Sequence, residues 1–116
     1  MPTLRRLEKL NALLAEELSK IIDRELEFPD DFLVTVTRVI ISNDARYASA
    51  HVSVFGGEPA AALEILSKNV YTIQQILNKR LRMRPVPKIR FMVDEQELLR
   101  EKVEKSLAEL KRKKEI

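Results

Sequence analysis

Apolar residues three or four positions apart mark the helical parts of this chain. Over residues 4–25, leucines and Ile21 follow this spacing with charged residues between them, which predicts an amphipathic helix. A second stripe, over residues 59–81, opens with Pro59, which loses no hydrogen bond in a first turn. A continuous helix of that length would measure about 35 Å, the width of a domain this size, so we expect a bend or break near its middle. A third stripe, over residues 95–110, predicts a final helix.

The pattern between and after the first two helical stretches is that of strands. Residues 33–42 form a β-branched run that predicts a well-buried strand. Residues 43–46 supply turn chemistry, and small or branched apolar residues then alternate with polar ones over residues 47–54. That alternation predicts a second strand with one packed and one exposed face, paired with the first as a hairpin. Residues 88–93 alternate in the same way after a proline-rich stretch and predict a third strand.

The order of elements defines the predicted architecture. It reads helix, strand, strand, long or split helix, strand, helix, with more than 20 residues between the second and third strands. A connection of that length is a helical crossover, so the sheet is mixed. We therefore predict an α+β fold in which a small three-stranded mixed sheet packs against helices mainly on one face.

The length of the chain is that of one domain. We expect a single domain over residues 1–110 and a basic C-terminal tail over residues 111–116. The cations of residues 111–114 suit a helix end, where they oppose the exposed carbonyl dipoles, and a basic arm that touches RNA is the alternative.

Basic residues are concentrated in one part of the chain. Residues 65–93 contain seven lysines and arginines and no carboxylate, although the whole chain has 18 Asp and Glu. This basic window has a charge of +7 and the remainder −4, which gives the modest net charge of +3. Such polarity favours a polyanionic partner, and phosphate backbones are the commonest polyanions in a cell. The residues are Lys68, Lys79, Arg80, Arg82, Arg84, Lys88 and Arg90.

Catalytic and cofactor chemistry have little support in the sequence. The chain has no cysteine and one histidine, so we expect no metal site and no cofactor. No Walker loop, nucleophile elbow or dinucleotide fingerprint occurs, and we expect neither an enzyme nor a small-molecule substrate. Without cysteine, a signal-peptide pattern or a run near ~18 apolar residues, the expected location is the cytoplasm, with no membrane partner.

Three residues near the hairpin each have two interpretations. Asp44 suits hydrogen bonding within the turn better than catalysis. His51 suits an exposed polar position better than a metal ligand. Tyr47 shares the exposed side of its strand, where packing on the sheet is the favoured interpretation and stacking on an RNA base is the other.

Three short strings resemble a known family. They are Val34-Thr35-Val36-Thr37-Arg38-Val39 followed by Ser42-Asn43-Asp44, then Tyr47-Ala48 with Ala50-x-Val52, and Arg84-x-x-Pro87-x-Ile89-x-Phe91-x-x-Asp94. In order and spacing they resemble ribosome-binding factor A, over residues 1 to about 110. The resemblance implies a type II KH-like fold and a non-catalytic assembly factor. Such a factor binds the immature small (30S) ribosomal subunit, assists maturation of its 16S ribosomal RNA near the decoding region, and supports growth in the cold.

One position departs from the family pattern. Members mark the junction of the two middle helices with an alanine, any residue and a glycine, where this chain has Asn69, Val70 and Tyr71. Asparagine takes unusual backbone angles more readily than most residues, whereas valine and tyrosine favour no break. If the helix is kinked here, the kink must be imposed by packing. If it is not kinked, the helix continues past Tyr71 and the basic segment that follows is shifted.

Within this resemblance, the basic window is the expected RNA-binding surface, through contacts to phosphate and sugar that recognise RNA shape. The favoured residues are Lys79, Arg80, Arg82, Arg84, Lys88 and Arg90, and the weaker candidates are Arg5, Arg6, Arg38 and Arg46. The expected partner is the small ribosomal subunit with its ribosomal RNA, bound by a monomer. The alternative is a protein–protein interaction module, such as a homodimer formed through the apolar stripe of the first or last helix.

Overall fold

A computed structural model of the chain describes residues 4–114. Its elements are α1 (Leu4–Glu25), β1 (Leu33–Ile41), β2 (Tyr47–Phe55), α2 (Pro59–Lys68), α3 (Val70–Arg80), β3 (Lys88–Val93) and α4 (Glu95–Lys114). This order confirms the predicted α+β architecture and the type II KH-like arrangement that the resemblance implied. The middle helical stretch is split into α2 and α3.

The sheet has the strand order β1-β2-β3. β1 and β2 form the predicted antiparallel hairpin, and β2 and β3 run parallel. The parallel pairing requires a crossover, which α2 and α3 provide. The register places Tyr47 opposite Lys88 and Ser49 opposite Arg90, so these side chains share one face of the sheet.

β1 contains a bulge in its middle. The register passes from Val36 opposite Val52 to Arg38 opposite His51, which leaves Thr37 as the additional residue. The apolar residues return to the packed face at Val39, which is buried. A bulge of this kind re-aims neighbouring side chains and increases the local twist.

The hydrophobic core lies between the helices and one face of the sheet. Its members include fully buried leucines and isoleucines from α1, α2 and α3, and the small residues of β2 let the helices approach the strands closely. They include Leu14, Leu18, Ile21, Leu66, Ile73, Leu77, Ala48, Ala50 and Val52.

The opposite face of the sheet stays exposed, including Ile40 in β1 and Tyr47 in β2. The prediction of a well-buried first strand was therefore wrong for one of its two faces. The β-branched run satisfies the propensity for strand, but the helices cover only one side.

α4 begins at a buried cap, and its apolar stripe stays exposed. Asp94 is 4% exposed, and its Oδ1 accepts a hydrogen bond of 3.0 Å from the Gln96 N–H, as expected of an N-cap. The apolar stripe of α4 is more than half exposed at every position, namely Leu99, Val103, Leu107 and Leu110. Residues 111–114 continue the helix, and residues 115 and 116 of the predicted tail lie outside the described residues.

Candidate nucleic-acid interface

The hairpin turn and the start of β3 meet at one end of the sheet. The Lys88 N–H donates a hydrogen bond of 2.9 Å to the Arg46 carbonyl oxygen, and Tyr47 pairs with Lys88 in the register. Arg46 and Lys88 are thus brought together although 42 positions separate them in sequence. The pairing of β2 with β3, rather than proximity in sequence, brings these two residues together.

The helix layer places further cations along α1 and at the end of α3. Two contacts show that α1 runs antiparallel to α3. Arg80 Nε lies 3.3 Å from Glu17 Oε2, and the earlier α3 residue Ile76 lines a cleft with the later α1 residue Ile21. Asn11 Oδ1 accepts a hydrogen bond of 2.9 Å from the Ile41 N–H, so the N-terminal half of α1 passes the end of β1 where the hairpin turn begins.

We call this region the basic end. It comprises the hairpin turn (residues 42–46), the loop of residues 81–87, the start of β3, the last turn of α3 and the first turns of α1. These segments carry most of the predicted site residues and extend from the helix layer to the open sheet face. These residues are Arg5, Arg6, Arg46, Lys79, Arg80, Arg82, Arg84, Lys88 and Arg90.

Two of these arginines are engaged by the protein. Arg80 is paired with Glu17, and both side chains are partly buried. Arg84 Nη1 donates hydrogen bonds of 2.8 Å to the carbonyl oxygens of Leu81 and Met83. Arg84 therefore satisfies carbonyls of its own loop, and Arg80 fastens α3 to α1. Their charges add to the local field, but part of their donor capacity is already used.

Four of the favoured cations are unengaged. Lys79, Arg82, Lys88 and Arg90 are exposed, and within residues 4–114 none of them has a hydrogen-bond or ion-pair partner. Exposed cations without a carboxylate partner attract phosphate most directly, because no internal ion pair has to be broken. Lys79 lies on the helix side beside Arg24, whereas Lys88 and Arg90 lie on the open sheet face.

Arg38 has a structural role. Its Nε lies 3.7 Å from Asp94 Oδ2, and the Thr37 hydroxyl donates to the same oxygen at 2.5 Å. A carboxylate as buried as that of Asp94 needs such compensation. The bulge at Thr37 thus supplies two neighbouring partners for the residue that caps α4. Arg38 lies on the open sheet face beside His51, away from the basic end.

Asp44 organises the hairpin turn, as predicted. Its Oδ1 accepts hydrogen bonds from the Ser42 hydroxyl at 2.6 Å and from the Arg46 N–H at 3.1 Å. These two hydrogen bonds, that of Ser42 first, hold the pKa of Asp44 below its usual range. The turn also places Ala45 at a φ of 59°. Arg46 is therefore presented from a defined turn, with its Nε 4.0 Å from Asp44 Oδ2.

The helix junction is broken at Asn69, which answers the question that the sequence left open. Asn69 has φ −106° and ψ 5°, and its N–H bonds the Leu66 carbonyl instead of continuing the α-helical pattern. Its side-chain Nδ2 donates 2.8 Å to the Ile65 carbonyl, which would otherwise lose its partner. The side chain of Asn69 thus supports the break locally.

The junction does not belong to the basic end. α3 has 11 residues, so Val70 and Arg80 are separated by about 15 Å along the helix axis. Tyr71 is exposed in the first turn of α3. The junction residues Asn69, Val70 and Tyr71 and the cations consequently occupy opposite ends of α3.

Gln74 is a positioning residue that the sequence analysis missed. Its Nε2 donates 3.0 Å to the Pro87 carbonyl, and its Oε1 accepts 2.9 Å from the Ile89 N–H. The side-chain amide therefore supplies hydrogen-bond partners to two backbone groups at the free edge of β3, one on either side of Lys88, as a neighbouring strand would. A polar residue on a half-buried helix face was the available signal, but its partner 13 positions away was not readable from periodicity.

His51 lies half-buried on the open sheet face. Burial, followed by the nearby charge of Arg38, lowers its pKa, with Asp94 acting in the opposite direction. Among the described residues no group of three His, Asp or Glu is placed to hold a metal ion. Within the same part of the chain, no helix has the length and apolar character needed to cross a membrane.

Comparison with known proteins identifies close relatives. The family model described as Ribosome-binding factor A matches residues 6–107. The ribosome-binding factor A of Macrococcus caseolyticus is 36% identical over 111 residues, which cover 94% of this chain and 97% of that protein.

Solved structures of the same kind are also similar. The crystal structure of ribosome-binding factor A from Thermus thermophilus has a TM-score of 0.69 and 34% identity, covering 75% of this chain and 93% of that chain. A homology model of the Thermus thermophilus factor, fitted into a cryo-electron microscopy map of a 30S complex, has a TM-score of 0.64 and 36% identity. That similarity covers 72% of this chain and 90% of the other.

Proposed function

The chain belongs to the ribosome-binding factor A family, and we propose on that premise that it binds the immature small (30S) ribosomal subunit through its basic end. In this proposal it assists maturation of the 16S ribosomal RNA in the cytoplasm, supports growth at low temperature, and acts stoichiometrically without catalysis. The structural neighbour fitted into a map of a 30S complex supports the choice of partner.

The observation that carries the proposal is the set of unengaged cations. Arg82 and Lys88 are exposed and unpaired within the described residues, and they lie close to Arg46 and Arg84 at the basic end. Contacts of such side chains to phosphate position a protein on folded RNA without reading its sequence. Recognition is then of RNA shape, which suits a factor that distinguishes two conformations of one RNA.

The mechanism follows from binding alone. A protein that binds a late-forming RNA conformation more tightly than its precursor shifts the equilibrium toward that conformation. The shift equals the difference between its two binding free energies and cannot exceed it. The domain contributes a rigid surface, because the turn, loop and strand of the basic end are each tied by hydrogen bonds such as those of Asp44 and Gln74.

The test is binding to immature and mature small subunits across a salt series. We expect preference for the immature particle and a steep loss of affinity with salt, because phosphate contacts release counterions. The variant Arg82→Gln with Lys88→Gln should bind more weakly and reduce the salt slope by about two.

The control is Lys20→Gln with Lys68→Gln, which removes the same charge from exposed positions outside the basic end. It should bind like the wild type. Absence of wild-type binding to immature subunits at low salt would overturn the proposed function, and equal losses in both variants would show that net charge, not the basic end, determines affinity.

One observation favours a second function, that of a protein–protein interaction module. The apolar stripe of α4, including Val103 and Leu107, is more than half exposed, and an amphipathic helix of this kind can pack on a partner. Sedimentation over a range of concentrations separates the two functions. A monomer excludes the homodimer, whereas a stable dimer that buries the basic end excludes the RNA-binding function.

A further inference from the structure

We propose that the open sheet face at the basic end binds an unpaired segment of RNA, with one base stacked on the ring of Tyr47 and the adjoining phosphates held by Lys88 and Arg90. This inference rests on the proposed function and specifies the class of RNA that the site takes. It concerns the face of the sheet opposite to the helices.

Tyr47 is available for stacking. The residue is 53% exposed, it does not belong to the hydrophobic core, and within residues 4–114 its hydroxyl has no hydrogen-bond partner. Its strand projects Ala48 and Ala50 into the core instead. About half of the Tyr47 surface is therefore accessible on the open sheet face, outside the hydrophobic core.

The neighbours of Tyr47 supply charge that fits a nucleic acid. Lys88 is directly opposite Tyr47 in the register, and Arg90 is opposite Ser49 on the same face. Neighbouring strands lie about 4.8 Å apart, and residues two positions apart on a strand are about 6.6 Å apart. The two cations therefore lie in a row along one side of the ring, at a spacing that lets them contact successive phosphates of one strand.

The same geometry selects against a duplex and against an acidic peptide. A base within a duplex has its faces covered by its neighbours, so only an unpaired base can stack on an exposed aromatic side chain. An acidic peptide would satisfy Lys88 and Arg90 but would make no use of the ring. Within the described residues, Tyr47, Lys88 and Arg90 have no carboxylate partner. A polyanion can therefore bind the two cations without displacing a bound carboxylate.

The chain offers a matched control for the aromatic ring. It has only two tyrosines and no tryptophan. The other tyrosine, Tyr71, is 74% exposed but lies at the far end of α3. Replacing either residue removes an exposed phenol ring from the surface, and only Tyr47 is predicted to matter.

The test measures fluorescence anisotropy of a short labelled single-stranded RNA and of a blunt duplex containing the same strand. Stacking is worth about 1–3 kcal/mol per base, so Tyr47→Leu should weaken single-strand binding by roughly 5- to 150-fold. Duplex binding should change less than about twofold. Tyr47→Phe should bind like the wild type, because the ring is kept, and Tyr71→Leu should be without effect.

A second readout locates the contact directly. In the Tyr71→Phe variant, Tyr47 is the only tyrosine, and its fluorescence should be quenched by the single strand but not by the duplex. Unchanged affinity of Tyr47→Leu for the single strand, or equal loss for both RNAs, would overturn the inference. If Tyr47→Leu weakens subunit binding but leaves binding of isolated single strands intact, the face contacts a protein and the inference is also wrong.

These outcomes are distinguishable from failure of the proposed function. That function fails if the wild-type protein does not bind immature subunits. The present inference fails if the wild type binds them and the Tyr47 variants show no selective loss with single-stranded RNA.

Discussion

Replacing Gln74 by leucine should remove the side-chain hydrogen bonds between α3 and β3 and lower the stability of the domain. The side chain of Gln74 makes hydrogen bonds to Asn78 Oδ1 within α3 and to the Pro87 carbonyl and the Ile89 N–H at β3, and leucine fills similar space but can make none of them. A net contribution of about 0.5–1.5 kcal/mol for each of the two bonds to β3 gives a loss of at least about 1–3 kcal/mol in the free energy of unfolding. In a domain of this size that lowers Tm by about 4–12 °C.

The assay is urea unfolding followed by far-UV circular dichroism, with Gln75→Leu as the control. Gln75 is the next residue of α3, is exposed and has no side-chain hydrogen bond among the described residues. Its replacement should alter the free energy of unfolding by no more than about 0.5 kcal/mol.

The Gln74 variant should also bind RNA more weakly, because Lys88 lies between the two backbone groups that Gln74 holds. Equal stability of the two leucine variants would refute the reasoning, since it would mean that water replaces the amide at the edge of β3 without cost.

Three further predictions concern the helix pair, the junction and pH. Arg80→Glu places a second carboxylate beside partly buried Glu17 and should lower the free energy of unfolding by about 1–2 kcal/mol in thermal unfolding. The control, Arg82→Glu at an exposed position, should change it by only a few tenths of a kcal/mol. Equal effects of the two variants would contradict the structural role of the ion pair. Asn69→Leu removes the side-chain bond that supports the break and should cost about 1 kcal/mol in urea unfolding, and an increase in stability would show that the break is imposed entirely by packing. The folded-state pKa of His51 is lowered, so only the unfolded chain takes up a proton as pH falls below about 6.5, and stability should decline from there until the folded-state pKa is reached. Tm measured from pH 8 to pH 5 should decline less in His51→Gln than in the wild type, and parallel declines would exclude this residue as the cause.

The local patterns of the sequence were sufficient for the architecture. Helical and alternating periodicities reflect which face of each element is packed, so they identified the helices, the hairpin and the third strand. The length of the connection after Phe55 required a crossover and hence a mixed sheet. The turn role of Asp44 also depends on neighbours within a few positions, and the structure contains it.

The candidate site could be predicted only as a set of cations. Charge along the sequence located the basic window, but it could not separate Arg80 and Arg84, which the protein engages, from Arg82 and Lys88, whose side chains have no partner among the described residues. That distinction depends on partners such as Glu17, which lies 63 positions from Arg80.

The sequence by itself determined the types and order of the elements, the charge polarity and the family of this protein. Only the tertiary structure decided that the hairpin turn lies beside the start of β3, that one sheet face stays open around Tyr47, and that the apolar stripe of α4 stays exposed. The physical reason is the distance in sequence over which each interaction acts. Backbone propensity, capping and periodicity act over a few residues, whereas exposure and pairing of a side chain depend on which distant segments pack against it.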